Sequence, residues 1–253
     1  MTPSPSPIAL VTNVTGYAGP PAVAALVAAG FRVLIHDYGF VDASRLASFT
    51  EQYPHVEYVP ADSPASLIEN VWERAGRLDA IVSNDHFPAP QASLADASLT
   101  YLRETFEALV AAPYALLQAA APKLRTQGGG NIVMITSCRT RSPIAGAAVP
   151  DAARAAANAL VRSLAAELAI DGIAVNAIAP NFLYSEAYYP RAIFLDDDRG
   201  REYVDTLVPA RRLGKPDEIG ELIAFLATTN AKFLTGAIID FAGGWPTTPA
   251  RPS

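Results

Sequence analysis

The chain has little positive charge and almost no cysteine. Its 19 lysines and arginines are outnumbered by 25 aspartates and glutamates, which gives a net charge of -6 and an isoelectric point near 5.1. Because nucleic acids and anionic membranes attract clustered Lys and Arg, this balance argues against both as partners. The single cysteine, Cys138, excludes an internal disulfide and a cysteine-based zinc cluster. It fits a reducing compartment, so we expect a cytoplasmic protein.

Long apolar runs are also missing. No stretch approaches the roughly 18 apolar residues of a membrane span. The start, MTPSPSP, lacks the charged segment and apolar run of a signal peptide, so we interpret it as a loose leader to the first strand. A chain of 253 residues can form one large α/β domain, and a single domain is expected over residues 1–253.

Short apolar runs alternate with helical patterns along the chain. Buried strands are predicted at residues 8–12, 31–36, 56–59, 80–83, 131–136, 174–179 and 237–241. Helices are predicted between them, at residues 20–29, 43–52, 66–76, 99–124, 151–169 and 217–226. This alternation predicts an α/β fold, a Rossmann-like doubly wound parallel sheet of about seven strands with helices on both faces. Such a sheet binds ligands at the carboxyl ends of its strands, and the Pro- and Asp-rich residues 185–200 are predicted to form an insertion loop beside that crevice.

Motifs at the strand ends follow a familiar order. LVTN precedes the first turn, VSND follows the fourth strand, MITS the fifth, NAIAP the sixth, and the tail reads RLGKPDEIGELIAFLATTNAKFLTGAIIDFAGGW. This order resembles the short-chain dehydrogenase/reductase superfamily over nearly the whole chain. Members that bind NAD or NADP need glycines after the first strand, because the pyrophosphate must approach the backbone there. Tyr17 stands where the middle glycine belongs, so no cofactor is expected; Asp37 could still be interpreted as a ribose-binding acid.

One cofactor-independent branch, the halohydrin dehalogenases, is more similar still. The chain shares with it an aromatic residue in the first turn (TNVTGYAG), IHDYGF, VSNDHF, and Pro-Asn-aromatic where dehydrogenases usually have Pro-Gly. That resemblance implies a carbon-halide lyase that converts vicinal haloalcohols to epoxides and halide, and opens epoxides with small anions in reverse. It also implies a halide and substrate pocket, although each aromatic member could instead pack in the core. The implied pocket consists of Tyr17, Pro180, Asn181, Phe182, Leu183, Tyr188, Tyr189 and Trp245.

The resemblance further implies a catalytic Ser, a Tyr base 13 residues later and an Arg 17 residues after the Ser. Ser137 and Arg154 match this spacing, but Pro150 occupies the position of the base. An Arg stays charged and can hold an oxyanion or a phenolate. Alternatively, Arg154 forms a helix-surface ion pair with Asp151, three residues earlier. Pro150 cannot accept a proton, but it suits the first turn of a helix.

Other groups could take the proton. Asp151 is short, rotated by about 100° on a helix, and kept weakly basic by Arg154. His86 follows the fourth strand, and Cys138 has no visible activating base. Two explanations stay open. Either activity is reduced or altered, naturally or by engineering, or one of the tyrosines after residue 183 reaches back to Ser137 and Arg154, which the chain lengths argue against.

The expected partners are a haloalcohol or epoxide and a halide or other small anion, with no metal. A catalytically inactive superfamily member and an NAD(P)-dependent oxidoreductase are the alternatives. The segments DAARAAANALVRSLAAELA and AAPYALLQAAA are rich in alanine, which lets helices approach closely. In the family that the chain resembles these two helices pair across subunits, so a homo-oligomer, a dimer or tetramer, is expected.

Overall fold

A computed structural model describes residues 6–248, so residues 1–5 of the predicted leader lie outside the described part. One parallel sheet contains seven strands in the order β3-β2-β1-β4-β5-β6-β7. The fold class predicted from the sequence is therefore confirmed. The strands are β1 (Ile8–Thr12), β2 (Arg32–His36), β3 (Val56–Tyr58), β4 (Ala80–Ser83), β5 (Gly130–Ile135), β6 (Ile173–Pro180) and β7 (Ile238–Phe241).

Helices cover both faces of this sheet, because alternate residues of each buried strand point to opposite faces. In β1, Ile8 and Leu10 pack on one face, whereas Ala9 and Val11 pack on the other. The first face is covered by α3 (Pro64–Ala75), α5 (Ala112–Gln127) and α6 (Ala148–Leu168). The second face is covered by α1 (Gly19–Ala28), α2 (Ala43–Gln52) and α9 (Pro216–Thr228).

The predicted helix over residues 99–124 is longer and less regular than expected. It comprises α4 (Leu99–Phe106), a π-helical turn (Glu107–Ala111) and α5, which continues to Gln127. The widened turn lies just before Pro113, whose ring has no N–H and crowds the carbonyl four residues earlier. Gly128, in the left-handed conformation, ends the helix.

Residues 185–200, predicted as an insertion loop, border the crevice and are partly helical. They contain α7 (Arg191–Phe194) and the start of α8 (Asp198–Leu207), neither of which was predicted. The Asp197 side chain caps α8 by accepting a hydrogen bond from the Arg199 backbone N–H at 2.8 Å. A small cluster of buried residues anchors this region: Phe182, Val204, Val208 and Leu213.

Candidate active site

A cavity of about 790 Å³ lies beyond the carboxyl ends of the strands. Its walls come from the turns after β1, β4, β5 and β6, the first turns of α6, and α7 and α8. Every residue predicted for the site lines this one cavity: Tyr17, Ser137, Pro150, Arg154, Pro180, Asn181, Phe182, Leu183, Tyr188, Tyr189 and Trp245. The sheet topology explains the convergence, because the ends of parallel strands meet at one edge.

Ser137 is fixed at the cavity wall just after β5. Its Oγ donates a hydrogen bond to the Pro180 carbonyl and accepts one from the Arg139 backbone N–H, each at 3.1 Å. Its own carbonyl accepts from the Asn158 side chain at 2.9 Å. The first two contacts hold the hydroxyl itself, and the third holds the backbone that bears it.

Arg154 brings a buried positive charge to the same cavity. Its side chain rises from α6, and the residue is only 7% exposed. Nη1 donates to the carbonyls of Asp85 at 2.9 Å and Ile135 at 3.3 Å. The alternative prediction of a surface ion pair with Asp151 is wrong: Asp151 pairs with Arg139 at 2.7 Å, because Arg154 lies on the buried face of the helix.

The Tyr188 hydroxyl lies beside this guanidinium. Nη2 of Arg154 donates to Tyr188 Oη at 3.3 Å. The phenol also donates to the Phe87 carbonyl at 2.8 Å and accepts from the Phe87 N–H at 3.1 Å. The expectation that the chain lengths keep these tyrosines away is therefore wrong for Arg154, whereas no hydrogen bond joins Tyr188 to Ser137 among the described residues. The backbone reverses after β6, where the N–H groups of Tyr188 and Tyr189 both donate to the Ser185 carbonyl.

Pro150 contributes no proton acceptor. It is buried as the third residue of α6, which begins three residues before the predicted start at Asp151. Its position in the first turn suits a residue without an N–H. The carboxylate of Asp151 is engaged with Arg139, and Asp151 is not among the residues that line the cavity.

The other two candidate bases are also held away from the cavity. His86 packs against Gly16, where an added Cβ would lie 2.7 Å from Nε2. Burial lowers the pKa of His86, and the ring is not part of the cavity wall. Burial raises the pKa of the Cys138 thiol to about 12, so it is protonated at neutral pH.

Tyr17 fills the turn where a dinucleotide would approach the backbone. Its φ of 53° is left-handed, a conformation that favours glycine, and its ring packs edge-on against Tyr188 with centroids 5.0 Å apart. Burial raises the pKa of its phenol far above the ordinary value. Asn84 braces the same turn by donating to the carbonyls of Asn13 at 2.8 Å and Gly16 at 2.9 Å.

The carboxylate of Asp37, the possible ribose-binding acid, already accepts hydrogen bonds within the protein. Its Oδ2 accepts from the backbone N–H of Thr15 at 2.9 Å and from the Thr15 hydroxyl at 2.7 Å. Its Oδ1 accepts from the Gly39 N–H at 2.8 Å. With Tyr17 in the turn, Asp37 bonded and Arg154 in place of a lysine, the residues do not fit an NAD or NADP molecule.

Aromatic rings form the far wall of the cavity. Phe182 lies 5.3 Å from Tyr189 and 5.8 Å from Trp245, measured between ring centroids. The Tyr189 hydroxyl donates to Asn181 Oδ1 at 2.7 Å, which fixes the ring. Burial raises the pKa of Tyr189 well above its ordinary value. Ring edges carry partial positive charge, so such a wall can face an anion without reacting with it.

Sequence reasoning missed several apolar residues of the wall. Phe87 could have been found, because it follows the same strand as His86 and precedes a run of turn residues. The residues on α7 and α8 had no such signal, since that segment was expected to be a loop. The missed apolar residues are Phe87, Leu109, Ile144, Ile193, Phe194, Tyr203 and Leu207.

The residues that the structure describes contain no metal cluster and no membrane-spanning helix. Between residues 6 and 248 no group of three or more His, Cys, Asp and Glu side chains is placed to hold a metal ion. Within the same range, no helix is long and apolar enough to cross a membrane.

Comparisons with known proteins identify relatives of two kinds. Residues 19–246 match the family described as enoyl-(acyl carrier protein) reductase. Dehydrogenase/reductase SDR family member 4 of Homo sapiens is 28% identical over 186 residues, which are 74% of this chain and 66% of that protein. The chain thus spans slightly less than two thirds of that relative's length.

Two solved structures match nearly the whole chain. A structure described as a dehalogenation enzyme is 37% identical, with a TM-score of 0.91, over 95% of this chain and 98% of that one. A halohydrin dehalogenase bound to ethyl (2S)-oxiran-2-ylacetate is 34% identical, with a TM-score of 0.93, over 97% and 100% of the two chains.

Proposed function

The chain belongs to the short-chain dehydrogenase/reductase superfamily, and from that premise we propose that it is a cofactor-independent halohydrin dehalogenase. The proposed reaction converts a vicinal haloalcohol to an epoxide and free halide, and its reverse opens an epoxide with a small anion. The observation that carries the proposal is the cavity in which Ser137 and Arg154 face an aromatic wall while Tyr17 fills the nucleotide turn. The two dehalogenase structures support it, since both align over almost the entire chain.

Each wall of the cavity has a role in this reaction. The Ser137 hydroxyl, which donates to the Pro180 carbonyl in this structure, turns to donate a hydrogen bond to the substrate oxygen, and this leaves the substrate proton available to a base. Arg154 stabilises negative charge that develops nearby, and its burial strengthens that effect. When the substrate oxygen loses its proton, it forms a bond to the adjacent carbon, and the carbon–halogen bond breaks with its electron pair on the halide. Placing both groups on neighbouring carbons makes the displacement intramolecular, which accelerates it strongly.

The departing halide lies against the aromatic wall of Phe182, Tyr189 and Trp245. These rings offer partially positive edges and no strong nucleophile to the anion. The Asn181 amide, held by Tyr189, adds a polar group at the same wall. This arrangement suits an anion that must bind weakly enough to leave.

The size and lining of the cavity favour substrates with a bulky apolar group. About 790 Å³ is well above the volume of a three-carbon haloalcohol and lies in the range for drug-sized ligands. Phe87, Ile144 and Leu207 add apolar surface to its lining. We therefore propose aryl-substituted haloalcohols and epoxides as preferred substrates, with small dihalopropanols as poorer ones.

Halide release tests the proposal. The protein is incubated with 1,3-dichloro-2-propanol and with 2-bromo-1-phenylethanol, and free halide is measured against buffer. Ser137→Ala is expected to lower the rate by about 100-fold, while Ser48→Ala, on the exposed side of α2, leaves it unchanged. No halide release from either compound by the folded protein would refute the proposal.

The alternative of an NAD(P)-dependent oxidoreductase is favoured by the names of the curated relatives. Three residues oppose it: Tyr17 in the nucleotide turn, Pro150 at the position of the usual Tyr, and Arg154 at that of the usual Lys. The alternative of an inactive superfamily member depends on Pro150 alone, and it requires that no other residue takes the proton.

A further inference from the structure

We propose that Tyr188 is the general base of this site, acting as a phenolate that Arg154 holds in place. The inference rests on the proposed dehalogenase function and supplies the proton acceptor that Pro150 cannot. It moves the base from the first turn of α6 to the loop after β6. Tyr188 lines the cavity, and in this proposal it is a catalytic residue because its hydroxyl receives the substrate proton.

The contacts of the Tyr188 hydroxyl suit a phenolate. Two donors point at its oxygen, Nη2 of Arg154 at 3.3 Å and the N–H of Phe87 at 3.1 Å. Arg154 cannot lose its proton at physiological pH, so its charge is present throughout the reaction. In the neutral state the phenol also donates to the Phe87 carbonyl at 2.8 Å. Ionisation gives up that hydrogen bond, so the two donors have to offset its loss.

The loop that bears Tyr188 is tied at its base. The backbone N–H groups of Tyr188 and Tyr189 donate to the Ser185 carbonyl at 3.3 and 2.9 Å, and the Ser185 side chain is buried. Tyr17 packs edge-on against the Tyr188 ring. The phenol is therefore preorganised, as a base must be if it is to meet the substrate without a costly rearrangement.

The other cavity tyrosines are worse candidates. Burial raises the pKa of both Tyr17 and Tyr189 far above the ordinary value, and Tyr189 donates its hydroxyl proton to Asn181. Tyr203, on α8, also lines the cavity, but no hydrogen bond joins its hydroxyl to an arginine among the described residues. Among the described residues, only Tyr188 brings a cavity phenol into hydrogen-bond contact with a guanidinium.

The step balances with the groups in this cavity. The haloalcohol hydroxyl, held by Ser137, transfers its proton to Tyr188 Oη. The alkoxide oxygen forms the carbon–oxygen bond of the epoxide as the carbon–halogen bond breaks and the halide takes the electron pair. Tyr188 then releases the proton to solvent through the cavity mouth. In the reverse direction the neutral phenol protonates the opening epoxide oxygen while the small anion attacks carbon.

The test compares Tyr188→Phe with Tyr184→Phe, a matched control from the same loop. Tyr184 does not line the cavity, and its hydroxyl donates to Glu186 at 2.7 Å on the exposed side. Tyr188→Phe keeps the ring against Tyr17 and is expected to lower kcat for halide release by about 100-fold or more, with KM within a few-fold. Tyr184→Phe is expected to act like the wild type.

The outcomes separate this inference from the proposed function. Halide release by neither the wild type nor Tyr184→Phe would overturn both. Release by all three proteins at similar kcat would overturn the inference alone, as would a Tyr188→Phe variant that raises KM and leaves kcat unchanged. Circular dichroism checks that the variants are folded.

The pH profile gives a second readout. The groups facing Tyr188 are Arg154, which keeps its charge, and the phenols of Tyr17 and Tyr101. Asp85, bonded to Arg154 through its carbonyl, also carries a titrating carboxyl nearby. Because a base works only when deprotonated, kcat/KM is expected to rise with pH, both in the wild type and in Asp85→Asn, which lacks the titrating carboxyl. A kcat/KM that is independent of pH, or a rise that is absent from Asp85→Asn, would overturn the inference.

Discussion

Asp85 gives the sharpest prediction about stability. Its carboxyl is buried beneath the site, with Oδ2 accepting from the Ser83 hydroxyl at 2.7 Å, and the residue is 5% exposed. Burial raises the pKa of Asp85 from 3.8 to about 7, although the Ser83 hydrogen bond and the charge of Arg154 oppose that rise. The protonated form is therefore favoured in the folded state.

The sign of the pH dependence follows from this difference. The pKa of Asp85 is 3.8 in the unfolded chain and about 7 in the folded protein. At pH values between these two, the folded protein binds a proton that the unfolded chain does not, so stability falls as pH rises. The contribution is fully present below about pH 4 and is lost as the pH passes about 7. The difference between the two pKa values corresponds to about 4 kcal/mol of folding stability. About 3 kcal/mol of that stability is lost between pH 5 and pH 8.

Asp85→Asn removes the titrating group while an amide oxygen can still accept from Ser83. Urea unfolding of both proteins, followed by tryptophan fluorescence at about pH 5 and about pH 8, gives two differences in the free energy of unfolding. From pH 5 to pH 8, the free energy of unfolding of the wild type is expected to fall by about 3 kcal/mol relative to that of the variant. If the wild type and the variant differ in free energy of unfolding by the same amount at both pH values, the pKa of Asp85 is not raised in the folded protein.

Four further predictions concern the site and the assembly. Titration with NADH or NADPH is expected to leave nicotinamide fluorescence unchanged, because Tyr17 fills the turn; saturable binding would contradict this. Pro150→Tyr is expected to raise halide release less than about tenfold, since Tyr188 already supplies a phenol; a larger gain would mean that the wild type lacks a base. Arg154→Met is expected to lower the free energy of unfolding by about 1–3 kcal/mol in urea denaturation, because it leaves buried carbonyls without a donor, whereas the exposed Arg45→Met on α2 is expected to change it little. Light scattering is expected to show a dimer or tetramer, because the exposed face of α6 is rich in alanine; a monomer would contradict the expectation.

The sheet and its crevice could be predicted from sequence because local patterns determine them. The alternation of apolar runs with helical periods predicted the strands to within one or two residues. The resemblance to a known family, with its spacing of 17 residues, identified Ser137 and Arg154. The altered turn after β1 could also be predicted, because Tyr17 stands where the approach of a pyrophosphate to the backbone needs glycine. These are short-range signals, and each needs only neighbouring residues to be read.

The contact between Tyr188 and Arg154 could not be predicted in the same way. It joins residues 34 positions apart and depends on the chain reversal at Ser185 and on the Phe87 main chain from a third loop. Chain length alone argued against the contact, because it does not reveal that the chain reverses at Ser185. The partly helical segment 185–200 was missed for a similar reason: its Pro and Asp residues suggested a loop, whereas Asp197 caps a helix.

The central claim, that this cavity holds a departing halide and no nucleotide, is tested most directly by soaking crystals of the protein with bromide. We expect an anomalous density peak inside the cavity between Tyr17 and Phe182, against the aromatic wall. Bromide bound only elsewhere on the protein, with none in the cavity, would contradict it.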